Sequence, residues 1–251
     1  MEDYTLPLVD NFQRFFKIEL ATTDAQKEAA YRIRYRVYCE ELGLEPADQF
    51  PDNMEYDQYD AYAPTCLVTH RRSGLTAGCV RMVEAGERRE MPFESHCRNS
   101  LNTEFAEFLY EERDTVVECS RLAVDSTFRR RVGEDHTRLG EYDALDCCHL
   151  EQRSFSLVGI AVLLAGFAVA DLTGRPNILA MMEPYLPRLL RRQGILVQKA
   201  GKRVQYHGNR APYYLNTEAA VPNMPPSLRG LYETERARLG VHFNLIRENV
   251  A

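Results

Sequence analysis

The sequence predicts an α/β fold built on one mixed sheet with helices on its faces, and three observations lead there. Residues 65–71 and 76–84 read as two strands around the turn Arg72-Ser73-Gly74, which specifies a β-hairpin and hence antiparallel pairing. A strand-like run over 115–124 is followed by a long helical stretch and then by the short apolar strand NILAMM at 177–182, the order of a β-α-β unit. No internal repeat, low-complexity tract or Gly/Ser-rich linker divides the 251 residues, so one domain is expected over 1–251. Its core is assigned to about 14–217, with a Pro-rich segment and a helix over 220–251.

Taken in order, RFFKIELA at 14–21 suggests a first strand. Thr23-Asp24-Ala25-Gln26 then fits a capping box, opening a helix that runs to about Gly43, a plausible helix stop. Ala30, Ile33 and Val37 give that helix an apolar stripe, while Arg34 and Tyr38 share another face. A polar loop through Pro51 and Asp52 leads to the hairpin. Phe155 to Ala170 carries no charge but is only 16 residues long, fewer than the ~20 needed to span a bilayer, so a buried core helix is expected. A helix over 183–193 follows, and the segments ILVQKA and KRVQYHG are expected to pair with each other as late strands.

Composition excludes several classes. A net charge of −6 argues against a surface built to neutralise nucleic-acid phosphates. Seven cysteines form no CxxC pair and no spaced Cys/His set, so no metal site is expected, and the thiols read as reduced in a cytoplasmic protein. The N-terminus is acidic where a secretory signal would be basic.

Two clusters can carry chemistry. In MEYDQYD, residues 54–60, Glu55, Asp57 and Asp60 repel one another and need cationic partners, for which Arg34 and Arg81 come from flanking elements. A solvated acidic loop is the plainer alternative. In VVECSRLAV, strand alternation sends Glu118 and Ser120 to one face and Cys119 and Arg121 to the other. A carboxylate inside so apolar a strand is costly unless paired or functional, which makes Glu118 a candidate general base and Arg121 a candidate ion-pair partner, against the alternative of a structural salt bridge. Cys119 has no His fixed near it by spacing. The segment from Phe128 through Arg129, Arg130, Arg131 and Gly133 can offer basic side chains and loop amides to phosphate. Arg188, Arg191 and Arg192 form a second basic set, and His207 is a further substrate-binding candidate.

The motifs YRIRYRVYCEELG, MEYDQYD, GCVRMV, ECSRLAV with FRRR, MEPYLPRLLRRQGI and VQYHGNR occur in an order that resembles the acyltransferases associated with PEP-CTERM/exosortase systems, over roughly residues 18–217. Those proteins are similar to acyl-homoserine-lactone synthases and long-chain N-acyl amino acid synthases, variants of the GCN5-related N-acetyltransferase fold. The resemblance implies a mostly antiparallel sheet with helices on both faces. It implies a catalytic group of Glu118, Ser120 and Arg121, and a substrate-binding cluster of Arg34, Tyr38, Asp57, Asp60 and Arg81. Leu122, Val124, Arg129, Arg130, Arg131 and Gly133 would bind the donor. That donor would be an acyl-phosphopantetheine thioester on acyl carrier protein or coenzyme A, with no tightly bound cofactor, and the acceptor a small amine such as an amino acid.

Two positions depart from the pattern. Leu44 stands where the lactone synthases typically have Trp, which argues against S-adenosylmethionine as acceptor. The phosphate loop of the fold, R/Q-x-x-G-x-G/A, ends here in Asp135, which disfavours a pyrophosphate and favours the carrier-protein arm. The expected function is therefore transfer of a long-chain acyl group from acyl carrier protein, or acyl-coenzyme A, to the amine of an amino acid or similar small acceptor. The alternatives are a lactone-type autoinducer synthase or an inactive lipid-responsive binding module.

Overall fold

The computed structural model describes residues 8–87, 89–129 and 149–250. The elements in chain order are α1 (Leu8–Phe15), β1 (Phe16–Leu20), α2 (Asp24–Tyr35), β2 (Thr65–His70), β3 (Thr76–Glu84), α3 (Pro92–Cys97), α4 (Thr103–Glu111) and β4 (Val116–Val124). They continue with α5 (Ser126–Arg129), α6 (His149–Phe155), α7 (Val158–Leu172), β5 (Asn177–Met182), α8 (Leu186–Arg192), β6 (Gln198–Lys199), β7 (Val204–Gln205), β8 (Asn209–Asn216), α9 (Thr217–Ala220) and α10 (Pro226–Val250).

The predicted capping box opens α2: the Gln26 N–H donates to the Thr23 hydroxyl at 3.3 Å and the Gln26 side chain accepts from the Thr23 N–H at 3.1 Å. After Tyr35 the helix widens into a π-turn over Arg36–Glu41, where the Leu42 N–H reaches Val37 at 3.1 Å, and Gly43 then reverses the chain at φ +59°. The helix is thus continuous in direction, as expected, but not in pitch.

The sheet has the order β1-β2-β3-β4-β5-β8-β6, with β7 also on β8. Every neighbouring pair is antiparallel except β4 and β5, whose parallel run follows from the α7 crossover between them. On one face Val80, Met82, Val117 and Ile178 meet α7, which is buried on nearly every side and is covered in turn by α10, against which α1 packs. Contact there is close: a Cβ on Gly78 would lie 2.5 Å from Val162 Cγ2. On the opposite face α2 packs Ala30, Ile33 and Val37 onto Leu67, Cys79 and Ala123, while Met91, Phe93, Phe105 and Leu109 of α3, α4 and their approach cover Val116 and Leu179. His70 is fully buried on the α7 side, bonded to Ser73 Oγ at 2.8 Å and Glu151 Oε1 at 2.7 Å, and so ties α6 to the hairpin turn.

The late segments depart from expectation. β6 and β7 do not pair with each other; each pairs with β8, a strand the sequence hides behind Pro212. Pro212 is accommodated because its carbonyl still accepts from the Ala200 N–H at 2.9 Å. Among the described residues no helix is long and apolar enough to cross a membrane, and α7 is core as predicted.

Candidate active site

Three arginines from three elements converge on the acidic loop. Arg34 of α2 donates from Nε to Glu55 at 2.5 Å and through a two-pronged contact to Asp60 at 2.6 and 3.0 Å. Arg81 of β3 grips Asp57 at 2.5 and 3.0 Å, lies 2.9 Å from Asp60 and donates from Nε to Ser120 Oγ at 3.2 Å. Arg121 of β4 donates to Glu55 at 2.9 Å and lies 3.4 Å from both Asp57 and Glu45. Arg34 and Arg81 are 0% exposed, so these charges are tolerable only because each faces a carboxylate. The acids are ordered locally as well: Asp57 accepts from the Tyr59 N–H and Asp60 from the Asp57 N–H, both at 2.9 Å. Burial alone would raise Asp60, but hydrogen bonds and charge from Arg34, with Arg81, hold it down to about 2. The solvated-loop alternative is thereby set aside.

Arg121 joins this cluster by breaking the alternation expected of its strand. The β3–β4 register steps from Cys79↔Ala123 to Arg81↔Ser120, two residues on β3 against three on β4, and Arg121 adopts φ +49°. This β-bulge swings Arg121 to the side of Ser120, rather than the opposite face. The distorted backbone is held from both sides, by Tyr38 Oη donating to the Leu122 carbonyl at 2.8 Å and by Cys79 Sγ 3.6 Å from the Arg121 carbonyl.

Glu118 stands one step before the bulge, 3% exposed, with Oε2 accepting from the Phe93 N–H at 2.7 Å. No arginine or lysine lies within ion-pair distance of it among the described residues, so the salt-bridge alternative does not hold for Glu118, whereas Arg121 does form such bridges, to Glu55, Asp57 and Glu45. Burial pushes its carboxyl up to about 8, only partly offset by the Phe93 N–H and the more distant charges of Arg81 and Arg121. Cys119, on the α7 side, is pushed up by burial to about 12, which leaves it a poor nucleophile near neutrality.

These groups open onto a cavity of about 390 Å³ whose origin lies in the sheet. β4 and β5 pair only over Val116↔Asn177, Val117↔Ile178 and Glu118↔Leu179, then diverge. The cavity fills the wedge between Cys119–Val124 on one side and Ala180–Met182 on the other, with Gly159 and Leu163 of α7 lining the apolar side. Of the expected residues, Tyr38, Glu118, Ser120, Arg121, Leu122, Val124 and Arg129 line it. Arg34, Asp57, Asp60 and Arg81 stand behind them as the buried cluster. Arg129 is ion-paired with Glu41, while Arg130, Arg131 and Gly133 lie outside the described residues.

Some lining residues were not among the expected site residues, although Tyr206 and Arg210 lie in the VQYHGNR motif. Pro92, Tyr206 and Arg210 line the cavity beside Glu118, brought there by α3 and the β7–β8 turn, whose strands were not anticipated in this arrangement. His207 instead contacts the Leu44 carbonyl at 3.2 Å and Glu45 at 3.4 Å, a role in fixing the loop after α2. Arg188, Arg191 and Arg192 sit on α8, where all three are exposed.

The sheet that splays after a short parallel pair, with a bulge at the splay, defines a GCN5-related N-acetyltransferase-like fold. A model of the acetyltransferase (GNAT) domain matches residues 33–138, from the end of α2 to beyond the bulged strand. Among solved structures, the chain is similar to TofI in a ternary complex with an inhibitor and MTA, at 20% identity and a TM-score of 0.58 over 85% of this chain and 99% of that one. It is also similar to the AHL synthase LasI, at 16% identity and a TM-score of 0.55 over 86% and 95% of the two chains. FeeM, an N-acyl amino acid synthase from uncultured soil microbes, superposes at 13% identity and a TM-score of 0.54 over 84% and 96%. No curated protein matches the sequence.

Proposed function

We propose that the protein is an N-acyltransferase that moves an acyl group from a phosphopantetheine thioester to a small amine. The observation that carries this reading is Glu118: a buried carboxyl pushed up to about 8, without a cationic partner, in the wall of a mostly apolar cavity at the point where β4 leaves β5. A carboxylate so tuned is close to an amine in basicity, so in its ionised form it can take the proton that an attacking amine loses.

In the proposed reaction the thioester arm lies along the bulged half of β4. The neutral amine nitrogen attacks the carbonyl carbon, and Glu118 accepts the proton the nitrogen loses. Backbone N–H groups near Ser120 to Leu122 stabilise the tetrahedral oxyanion. Collapse breaks the carbon–sulfur bond and releases the thiol. Ser120, held by Arg81, and Arg121, held by Glu55, position the strand rather than transfer protons. Leu122 and Val124 flank the arm, while Gly159 and Leu163 line the acyl side.

The narrower reading is a long acyl chain delivered by acyl carrier protein. It is supported by Arg129 at the cavity rim and by Asp135 at the end of the loop motif. The six ordered motifs support a place beside the acyltransferases of PEP-CTERM/exosortase systems. Incubating the purified chain with acyl-carrier-protein or acyl-coenzyme A and a pool of amines, with mass spectrometry of the products, tests the reading. A new amide and free thiol in equal amounts are expected; release of neither overturns it.

A further inference from the structure

Among the described residues, the arginines at and behind the cavity are met by carboxylates, with one exception. Arg34, Arg81 and Arg121 are met by Glu55, Asp57, Asp60 and Glu45. Arg210, the second residue of β8, is different. It lines the same cavity as Glu118, is half-buried, and its guanidinium makes no hydrogen bond or ion pair among the described residues, although its Nε is shut off from solvent. A guanidinium with a sequestered, unanswered donor is costly, and an anionic ligand would satisfy it.

Position makes that ligand specific. Along β8, Arg210 and Tyr214 share a face with α3 and α4, the face on which Glu118 meets Phe93, opposite α7 and the acyl side of the cavity. Cys97 lies within electrostatic reach of both groups: its thiol is pushed up by burial, with Glu118 adding to the rise and Arg210 opposing it. The acceptor side of the cavity thus holds one carboxyl and one guanidinium that the protein leaves unpaired with each other. A molecule bearing an ammonium and a carboxylate complements both.

Resting on the acyltransferase reading, we propose that Arg210 binds the carboxylate of an α-amino acid acceptor and thereby presents its amine to Glu118. Arg210 is then a specificity-determining residue. The guanidinium fork accepts a planar carboxylate through two parallel hydrogen bonds, and Lys would supply charge without that geometry.

The test compares wild type, Arg210→Gln and Arg210→Lys, each checked for an unchanged thermal melt. Two readouts are taken: kcat/KM for amino acids against the matching amino-acid amides with one acyl donor, and calorimetric binding of N-dodecanoyl-glycine against its primary amide. Wild type should favour the acids, and Arg210→Gln should cut the acid-to-amide ratio about 10- to 100-fold, chiefly through KM, with Arg210→Lys in between. Acyl transfer that ignores the carboxylate, or an equal loss for acids and amides in Arg210→Gln, overturns the proposal and leaves the acyltransferase reading standing. Absence of transfer to any amine, with carboxylate-selective binding of N-dodecanoyl-glycine that Arg210→Gln abolishes, overturns the acyltransferase reading and upholds the Arg210 site. Absence of both overturns both.

Discussion

Asp57 and Arg81 are joined by two parallel hydrogen bonds, at 2.5 and 3.0 Å, that clip the acidic loop onto the centre of β3. Asp57→Asn keeps the shape and removes the charge. Because Asp60 still faces Arg81, the expected loss of stability is about 1–3 kcal/mol, below the value for a fully orphaned buried cation. Urea melts read that loss, and proteolysis within 45–63 should accelerate; unchanged values for both would disprove the clip.

Asp60 sets the acid limit of the fold. Its folded value of about 2 lies below its ordinary 3.8, so the ionised form stabilises the protein above the ordinary value, and that stability is lost as pH falls from 3.8 through 2. The contribution is about 2 kcal/mol by linkage. Asp60→Asn should destabilise the protein at neutrality and flatten the decline in stability between pH 4 and 2, as followed by denaturant melts at stepped pH.

Glu118 has the opposite sign. Its folded value near 8 exceeds its ordinary 4.5, so the native state binds the extra proton and this group's contribution declines as pH rises between those values. Glu118→Gln mimics the protonated acid and should be at least as stable as wild type at pH 8–9. Its acyl transfer should nonetheless fall about 10²- to 10⁴-fold. In wild type, kcat/KM should climb with pH toward about 8, and the variant should lose the part of that limb due to Glu118. Near-normal turnover by the folded variant would remove Glu118 from the role of base.

Arg129 at the cavity rim separates the donors. Carrier proteins of this kind are acidic, so reversal of Arg129, Arg130 and Arg131 to Glu should weaken use of acyl carrier protein far more than use of a short pantetheine thioester, and added salt should shrink the difference. Collapse of acyl-coenzyme A activity with carrier-protein activity intact would instead make these arginines a phosphate site. Equal, small losses for all three donors would return them to ordinary surface.

Local patterns in the chain were legible where local forces decide. The capping box at Thr23, the 65–84 hairpin and the α7 core helix follow from neighbours in sequence. So does the need of Glu55, Asp57 and Asp60 for arginines, because like charges so close together cannot be left unanswered. Three features resisted. The bulge at Arg121 is invisible in VVECSRLAV, whose alternation reads as unbroken, since the extra residue is defined by register against β3. β8 contains Pro212, which ordinarily argues against a central strand. Arg210 is meaningful only through what it fails to contact, a property no motif records.

The parting of β4 from β5 has a consequence for how such a protein can change. An extended ligand entering the wedge meets a strand edge that has no strand beside it beyond Glu118↔Leu179, so it is gripped as a neighbouring strand would be, through main-chain atoms. That grip is indifferent to which side chains Cys119–Val124 carry. Leu122 and Val124, which hold no ion pair on this stretch, are therefore free to drift and reshape the apolar side of the cavity while the main-chain grip persists, so on the proposed function a lineage can exchange one acyl chain for another without first losing its donor.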